Sequence, residues 1–293
     1  MKSAPDQLVR ATILNGRGRA LACVTTNVVN EMQGRHHTWP VATAALGRTA
    51  SIALMMGQQL KNEERLTLRI DGDGPLGRIL VDADAFGNVR GYVDNPFVDL
   101  PANSKGKLDV GRAVGRGTLY VTRDTGLRDY YTGSAAIQTG EIADDFTYYF
   151  AVSEQTPSAV GAGVLVGTDN RVICAGGFLL QLLPGHEEND IEKLEERLSS
   201  MQSVTDILQT GKSAEELLYL LDPDAHLLNR VAVQFACNCS RERFAVAMKN
   251  LDVSELRSMV EEDKGAEAVC HFCAAKYFFG VEEIEGWIAE QQS

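Results

Sequence analysis

The chain has 293 residues, 44% of them hydrophobic and 23% charged, the make-up of an ordinary globular protein with room for one large domain or two. Its net charge of −12 is uneven: residues 1–184 balance, residues 185–228 hold 3 basic and 11 acidic side chains, and residues 229–293 hold 7 and 11. A module that grips phosphates would be basic, so the carboxy-terminal part is not expected to bind nucleic acid. No membrane span is expected either. The best apolar stretch, Pro40 to Leu60, is broken by Arg48, Thr43, Thr49, Ser51 and two glutamines. No targeting run follows Met1 to Asp6, so the cytoplasm, where thiols stay reduced, is the expected compartment.

Leu8–Leu14 and Arg19–Val24 read as two strands around the turn Asn15-Gly16-Arg17-Gly18. Cys23 is expected to be a small core residue. Arg35-His36-His37-Thr38-Trp39-Pro40 leads into a buried helix running to Leu60, with Thr38 as its cap and Pro40 in its first turn. No carboxylate or cysteine stands at metal spacing from the two histidines, so packing at the helix entry is their expected role. Gly72-Asp73-Gly74-Pro75-Leu76-Gly77 is a literal G-x-G-x-x-G. A dinucleotide site needs a helix directly after it, but Arg78–Asp82 reads as a strand, which makes the motif a hairpin connection.

Short strands separated by Gly, Asn and Asp continue to residue 180, among them Phe146-Thr147-Tyr148-Tyr149-Phe150. Asp144-Asp145 and Ser153-Glu154-Gln155 read as turns. After Pro184 the pattern changes. Ile191, Leu194, Leu198 and Met201 recur at helical spacing, and Ser213-Ala214-Glu215-Glu216 is a capping box before Leu217–Leu221, ended by Asp222-Pro223. Such short helices are marginal alone and must dock on a neighbour. Beyond them come a strand at Val231–Phe235, helices starting near Ser240 and Asp252, and a last helix with Ile284, Trp287 and Ile288. The expected architecture is α+β: a strand-rich antiparallel amino-terminal α/β domain (1–184), a helical linker (185–228) and a small carboxy-terminal domain (229–293).

Four of the six cysteines lie in that last domain, as Cys237-Asn238-Cys239 and Cys270-His271-Phe272-Cys273. Two tight pairs at the ends of a foldable segment suit tetrahedral zinc, and about sixty residues is a size at which metal is a common staple. Two disulfides are the other use of four cysteines, favoured outside the cell. His271 could replace one thiol, though with four present it is expected beside the metal rather than on it. Four thiolates leave no open position for water, which argues against catalysis by the metal. The C-x-C arm departs from the usual C-x-x-C. Each arm holds its own partner should the metal leave, as a reversible oxidation switch requires.

The spacing C-x-C, a gap near thirty, then C-x-x-C is similar to that of the bacterial 33-kDa heat-shock chaperonins, the redox-regulated holdases. The likeness runs along essentially the whole chain. It includes Arg35–Pro40 with Ala45-Leu46-Gly47-Arg48-Thr49, Gly72–Gly77, Gly140–Tyr149, Ser153–Ser158 and Ala175-Gly176-Gly177-Phe178. The pair His36-His37 departs from the family, which has one histidine followed by a small residue. The resemblance implies an ATP-independent chaperone, not an enzyme, inactive while reduced with one Zn2+ on Cys237, Cys239, Cys270 and Cys273. It implies that oxidation forms the disulfides Cys237–Cys239 and Cys270–Cys273, releases zinc and unfolds the zinc domain and linker. The amino-terminal domain would then bind unfolding client proteins, and the active form would be a homodimer. Two other functions fit the residues: a zinc-stabilised interaction module that keeps its metal under peroxide, and an oxidoreductase using Cys270 and Cys273.

Overall fold

Asn15 and Gly16 take left-handed φ values of 55° and 88° and turn β1 (Gln7–Ile13) back on β2 (Gly18–Val24). The computed structural model describes residues 4–126 and 130–292, so Met1–Ser3, part of the segment without a targeting run, lies outside it. The chain divides into two units, Met1–Ala236 and Cys237–Ser293. The larger continues with α1 (Thr26–His36), α2 (Pro40–Gly57), β3 (Arg65–Gly72), β4 (Arg78–Asp84), β5 (Asn88–Val93), α3 (Val110–Val114), β6 (Gly117–Asp124) and β7 (Tyr131–Ala136). It is completed by α4 (Ala143–Val152), β8 (Ser158–Val166), β9 (Val172–Leu182), α5 (Glu188–Ser200), α6 (Val204–Leu208), α7 (Ala214–Leu221), β10 (His226–Ala232) and β11 (Gln234–Phe235). The fold class is α+β, as expected.

The strands form two sheets. The first has the order β10-β1-β2-β9-β8 and the second β11-β5-β4-β3-β6-β7, antiparallel except where β11 joins β5. Apart from Pro40 and Arg48, every residue of α2 is buried, and the helix packs on strands of both sheets. Its buried leucine, isoleucine and methionine side chains contribute about 1.5–3 kcal/mol each. Thr38 is not its cap: the N-cap is Trp39, and the Thr38 hydroxyl instead lies 2.6 Å from that of Thr43. Pro40 at the first position removes one N–H that would need capping. The histidines mark a helix exit rather than an entry, because His36 ends α1 and His37 closes it at φ 52°. Helix α1 was not legible in the sequence, its apolar periodicity being interrupted by asparagines, Gly34 and Gln33.

The Gly72–Gly77 loop is the hairpin connection between β3 and β4. Its glycines allow close approach: a Cβ would stand 2.0 Å from the Val114 carbonyl oxygen at Gly72 and 2.4 Å from that of Ala113 at Gly74. Phe146–Phe150, expected as a strand, is helical. Phe146, Tyr149 and Phe150 fall on one face at i, i+3 and i+4 and are all buried, so tertiary burial overrides the β propensity of aromatics. Asp145, buried before that face, accepts backbone N–H bonds from Gln138, Thr139, Gly140 and Ile142 at 2.7–3.3 Å.

Residues 185–225 fold against the second face of the first sheet, and the last three residues of the expected helical linker, 226–228, begin β10 within that sheet. Leu194, Ile207, Leu208, Leu217, Leu218 and Leu221 share a core with Val9, Ala11, Ile13, Ala20 and Leu180. The capping box of α7 is present: Ser213 Oγ accepts from the Glu216 N–H at 3.2 Å, and Glu216 Oε2 from the Ser213 N–H at 2.8 Å. Two buried carboxylates add polar clasps. Asp190 takes a bidentate pair of bonds from Arg17 at 2.6 and 2.7 Å, and these bonds hold its carboxyl well below the ordinary range. Asp222 accepts the Leu14 N–H at 2.9 Å and the Arg197 guanidinium at 2.8 Å. Asp222→Ala would leave the Leu14 N–H without its acceptor and Arg197 with the Leu221 carbonyl alone, and is expected to lower the stability of the larger unit by about 2–3 kcal/mol. Urea unfolding of the reduced protein measures it, with Asp222→Asn losing less.

Candidate metal centre

The smaller unit is built from α8 (Arg241–Met248), α9 (Val253–Glu261), the hairpin β12 (Ala266–Val269) and β13 (Lys276–Phe279), and α10 (Val281–Gln292). Ser240 caps α8 by accepting the Arg243 N–H at 3.3 Å, while Asp252 precedes α9 without a side-chain cap bond. The fully buried core is short: Met248, Leu256, Phe279, Ile284 and Trp287. Phe279 and Trp287 meet with ring centroids 5.4 Å apart.

Cys270-His271-Phe272-Cys273 is the turn between β12 and β13. The Cys270 N–H donates to the Ala275 carbonyl at 2.9 Å, the Ala274 N–H returns to the Cys270 carbonyl at 2.8 Å, and Ala274 takes φ 56°. This knuckle holds Cys270 and Cys273 together, and Cys237 and Cys239 meet them from the segment before α8. The four Sγ atoms lie within 4.8 Å of one another. Two sulfur contacts cross between arms, Cys239 to Cys273 at 3.3 Å and Cys237 to Cys270 at 3.8 Å, and no cysteine is in a disulfide. A tetrahedral metal bound by sulfur at about 2.3 Å implies sulfur–sulfur edges of about 3.8 Å. The donor set therefore fits a thiophilic cation with little adjustment, and four such ligands would complete its coordination.

Tyr277 is the member of the site that sequence reasoning missed. Its hydroxyl stands 3.2 Å from Cys239 Sγ and 3.4 Å from the Cys239 carbonyl, while its ring packs on Phe244 at 5.2 Å. The signal was a phenol in an otherwise apolar run just after the knuckle. Burial resists ionisation of Cys239, but hydrogen bonds with Tyr277 and the other three thiols outweigh it and bring the group down to about 7. Burial pushes the thiols of Cys270 and Cys273 upward, and the bond to Cys239 drives Tyr277 to about 12. Among the described residues, His271 is not in the ligand cluster. Cys23 and Cys174 belong to the larger unit, where burial raises their thiols to about 12 and about 11.

Fold and site together define a two-unit α+β protein whose small unit carries a tetrathiol centre. Residues 6–280 match the family model described as Hsp33 protein. The chain is 51% identical over 288 residues to the 33 kDa chaperonin of Staphylococcus carnosus (strain TM300), covering 97% of this chain and 98% of that one. It is 50% identical to the 33 kDa chaperonin of Bacillus subtilis (strain 168), covering 96% and 97%. The crystal structure of the 33 kDa chaperonin (heat shock protein 33 homolog) from Thermotoga maritima superposes with a TM-score of 0.93 at 34% identity, over 98% of this chain and 99% of that one. The chain belongs to the Hsp33 family of chaperones. Among the described residues, no helix is long and apolar enough to cross a membrane.

With so short a core, the smaller unit depends on each large side chain. Phe279→Ala is expected to cost about 3–5 kcal/mol, comparable to the stability of a whole small domain. Amide hydrogen exchange of the reduced protein should be faster across residues 237–293 in this variant and unchanged in residues 4–126 and 130–236.

Proposed function

We propose that this chain is a redox-regulated, ATP-independent holdase of the cytoplasm, without enzymatic activity, that keeps unfolding or oxidatively damaged proteins from aggregating. The observation that carries this is the clustering of four thiols from two arms, within 4.8 Å, in a unit whose own core is short. In the reduced form Cys237, Cys239, Cys270 and Cys273 would hold one Zn2+, which cross-links the two arms. Structural zinc contributes about 10–16 kcal/mol in small domains, against about 5–15 kcal/mol for whole domains, so metal loss would unfold residues 237–293.

Peroxide is the simplest trigger. Each pair of metal-bound thiolates would give two electrons, solvent would supply two protons, one sulfur–sulfur bond forms, and the peroxide O–O bond breaks to yield two waters. The pairing we propose is Cys237 with Cys239 and Cys270 with Cys273. A bridge across the arms would close a loop of about thirty residues and restrain the unfolded segment. With the metal gone and the segment unfolded, residues 185–228 lose their hold. Their apolar faces, and the sheet face beneath them in residues 1–184, then become surface for extended client chains. The excess acid of 185–228 keeps the complexes soluble, and the active form is a homodimer.

Zinc release and thiol counting during peroxide treatment, alongside light scattering of a heat-unfolding client, test the proposal. One zinc lost, four thiols consumed and scattering suppressed only after oxidation are expected. Zinc retained under peroxide would favour a static interaction module instead. Cys174→Ser should keep full zinc content, whereas Cys270→Ser should lose it. Peptide mapping should find the two short-range bridges, and a dominant Cys239–Cys270 bridge would refute the pairing.

Leu194, buried on α5, gives a separate handle. Leu194→Glu should loosen the linker and give partial holdase activity without oxidant. Hydrogen exchange across 185–228 should be slow in the reduced wild type and fast both in this variant and after oxidation. Equal protection in all three would remove the linker from the mechanism.

A further inference from the structure

The face of the first sheet that packs on α2 is apolar at one end and cationic at the other. Cross-strand register places Thr12 opposite Arg19, Arg19 opposite Gln181 and Gln181 opposite Ser158, a single row on that face. Arg10 stands one step along it, opposite Leu21. Arg10 and Arg19 are therefore diagonal neighbours on adjacent strands, roughly 7–8 Å apart in backbone terms. Two like charges in this position repel, and both side chains are half-buried.

The hydrogen bonds of these two side chains go to neutral acceptors. Arg10 donates to the Gln58 carbonyl at 3.1 Å and Arg19 Nε to Gln181 Oε1 at 2.8 Å, both neutral acceptors. A polar chain leads on to a third guanidinium. Gln181 Nε2 donates to Ser158 Oγ at 3.1 Å, Ser158 Oγ to the Thr156 carbonyl at 2.9 Å, and Thr156 Oγ1 to the Glu154 carbonyl at 3.1 Å. The Glu154 carboxylate is already committed to Arg123 and to the Tyr149 hydroxyl. Burial, followed by repulsion from Arg10, lowers the basicity of Arg19, and Arg123 adds to the repulsion while Glu154 opposes it.

We propose that Arg10, Arg19 and Arg123, with Gln181 and Ser158, form a binding site for a single phosphate group in the larger unit. Guanidinium forks match phosphate oxygens in pairs, and the neutral amide and hydroxyl supply further polar contacts. A dianion relieves the repulsion between the arginines, which the single carboxylate of Glu154 opposes only in part. The chain's charge of −12 repels a long polyanion, so the occupant is a free phosphate ion or the phosphate of a small ester.

Thermal unfolding of the full-length reduced protein tests this in orthophosphate and in glycerol 3-phosphate, each against sodium chloride at equal ionic strength. At ten times the dissociation constant, the larger unit's Tm should rise by roughly 3–6 °C beyond the chloride control. Arg19→Gln and Arg123→Gln should abolish the rise, and Arg171→Gln in the exposed β8–β9 turn should keep it. Should Arg19→Gln fail to fold, Arg19→Lys retains the charge without the fork and should weaken binding at least tenfold, and 31P line broadening on the wild type reads binding directly. A rise with orthophosphate alone identifies the free ion, and a rise with the ester identifies an organic phosphate; either supports the site. No excess over chloride, or a full rise in folded Arg19→Gln, overturns it.

Discussion

The first sheet is buried on both faces, and its second face is closed only by three short helices. Val9, Ala11, Ile13, Ala20 and Leu180 would face water without Leu194, Ile207, Leu217, Leu218 and Leu221 above them. In water, α5 at 13 residues, α6 at 5 and α7 at 8 would be marginal or absent. Sheet face and helices therefore exist in this form only together. Undocking of these helices would expose both their own apolar faces and the sheet face they cover.

The smaller unit has the opposite economy of structure. Ser240 caps α8 and the hairpin is regular, yet the buried core is limited to five large or medium side chains. The sulfur cluster lies where the chain enters the unit and where the β12–β13 hairpin turns, so a ligand bridging it joins the two parts that apolar packing joins least. Tyr277 binds the same arms from the side, through Cys239. The four thiols are held close in a site whose burial resists charge on Cys270 and Cys273, and a cation is the natural means of making them all thiolates.

Much of this was legible in the sequence, for reasons that differ by element. Asn15-Gly16 and Ser213–Glu216 carry their structure in local chemistry, and the structure has the turn and the capping box in place. The four cysteines were legible because metal spacing is a covalent constraint on chain length. The strand expected at 146–150 turned out helical because aromatic residues report burial rather than backbone geometry; the decisive fact was burial at i, i+3 and i+4 against partners distant in sequence. Helix α1 lacked a clean period, and β12 is too short to announce itself. The cationic row of Arg10 and Arg19 was invisible for another reason: cross-strand register is a property of pairing, and neither residue stands out within its own strand.

The polar clasps explain why the linker should dock or leave as a whole. Apolar faces alone are non-directional, and a short helix could slide along the sheet at small cost. Asp190 and Asp222 prevent this, because each is almost fully buried and its acceptors are matched to donors at one register only, Arg17 and the Glu187 N–H for the first, Leu14 N–H and Arg197 for the second. Buried ion pairs add little net stability relative to apolar packing, but a half-broken one is costly, since it strands a carboxylate away from water. Both clasps close on the turn of the β1–β2 hairpin, one from α5 and one from the end of α7. Shifting either helix by one turn would break its clasp while leaving the other helix under the same hairpin. Partial undocking is thus penalised at both ends, and a half-docked segment costs more than either extreme would predict by apolar area alone.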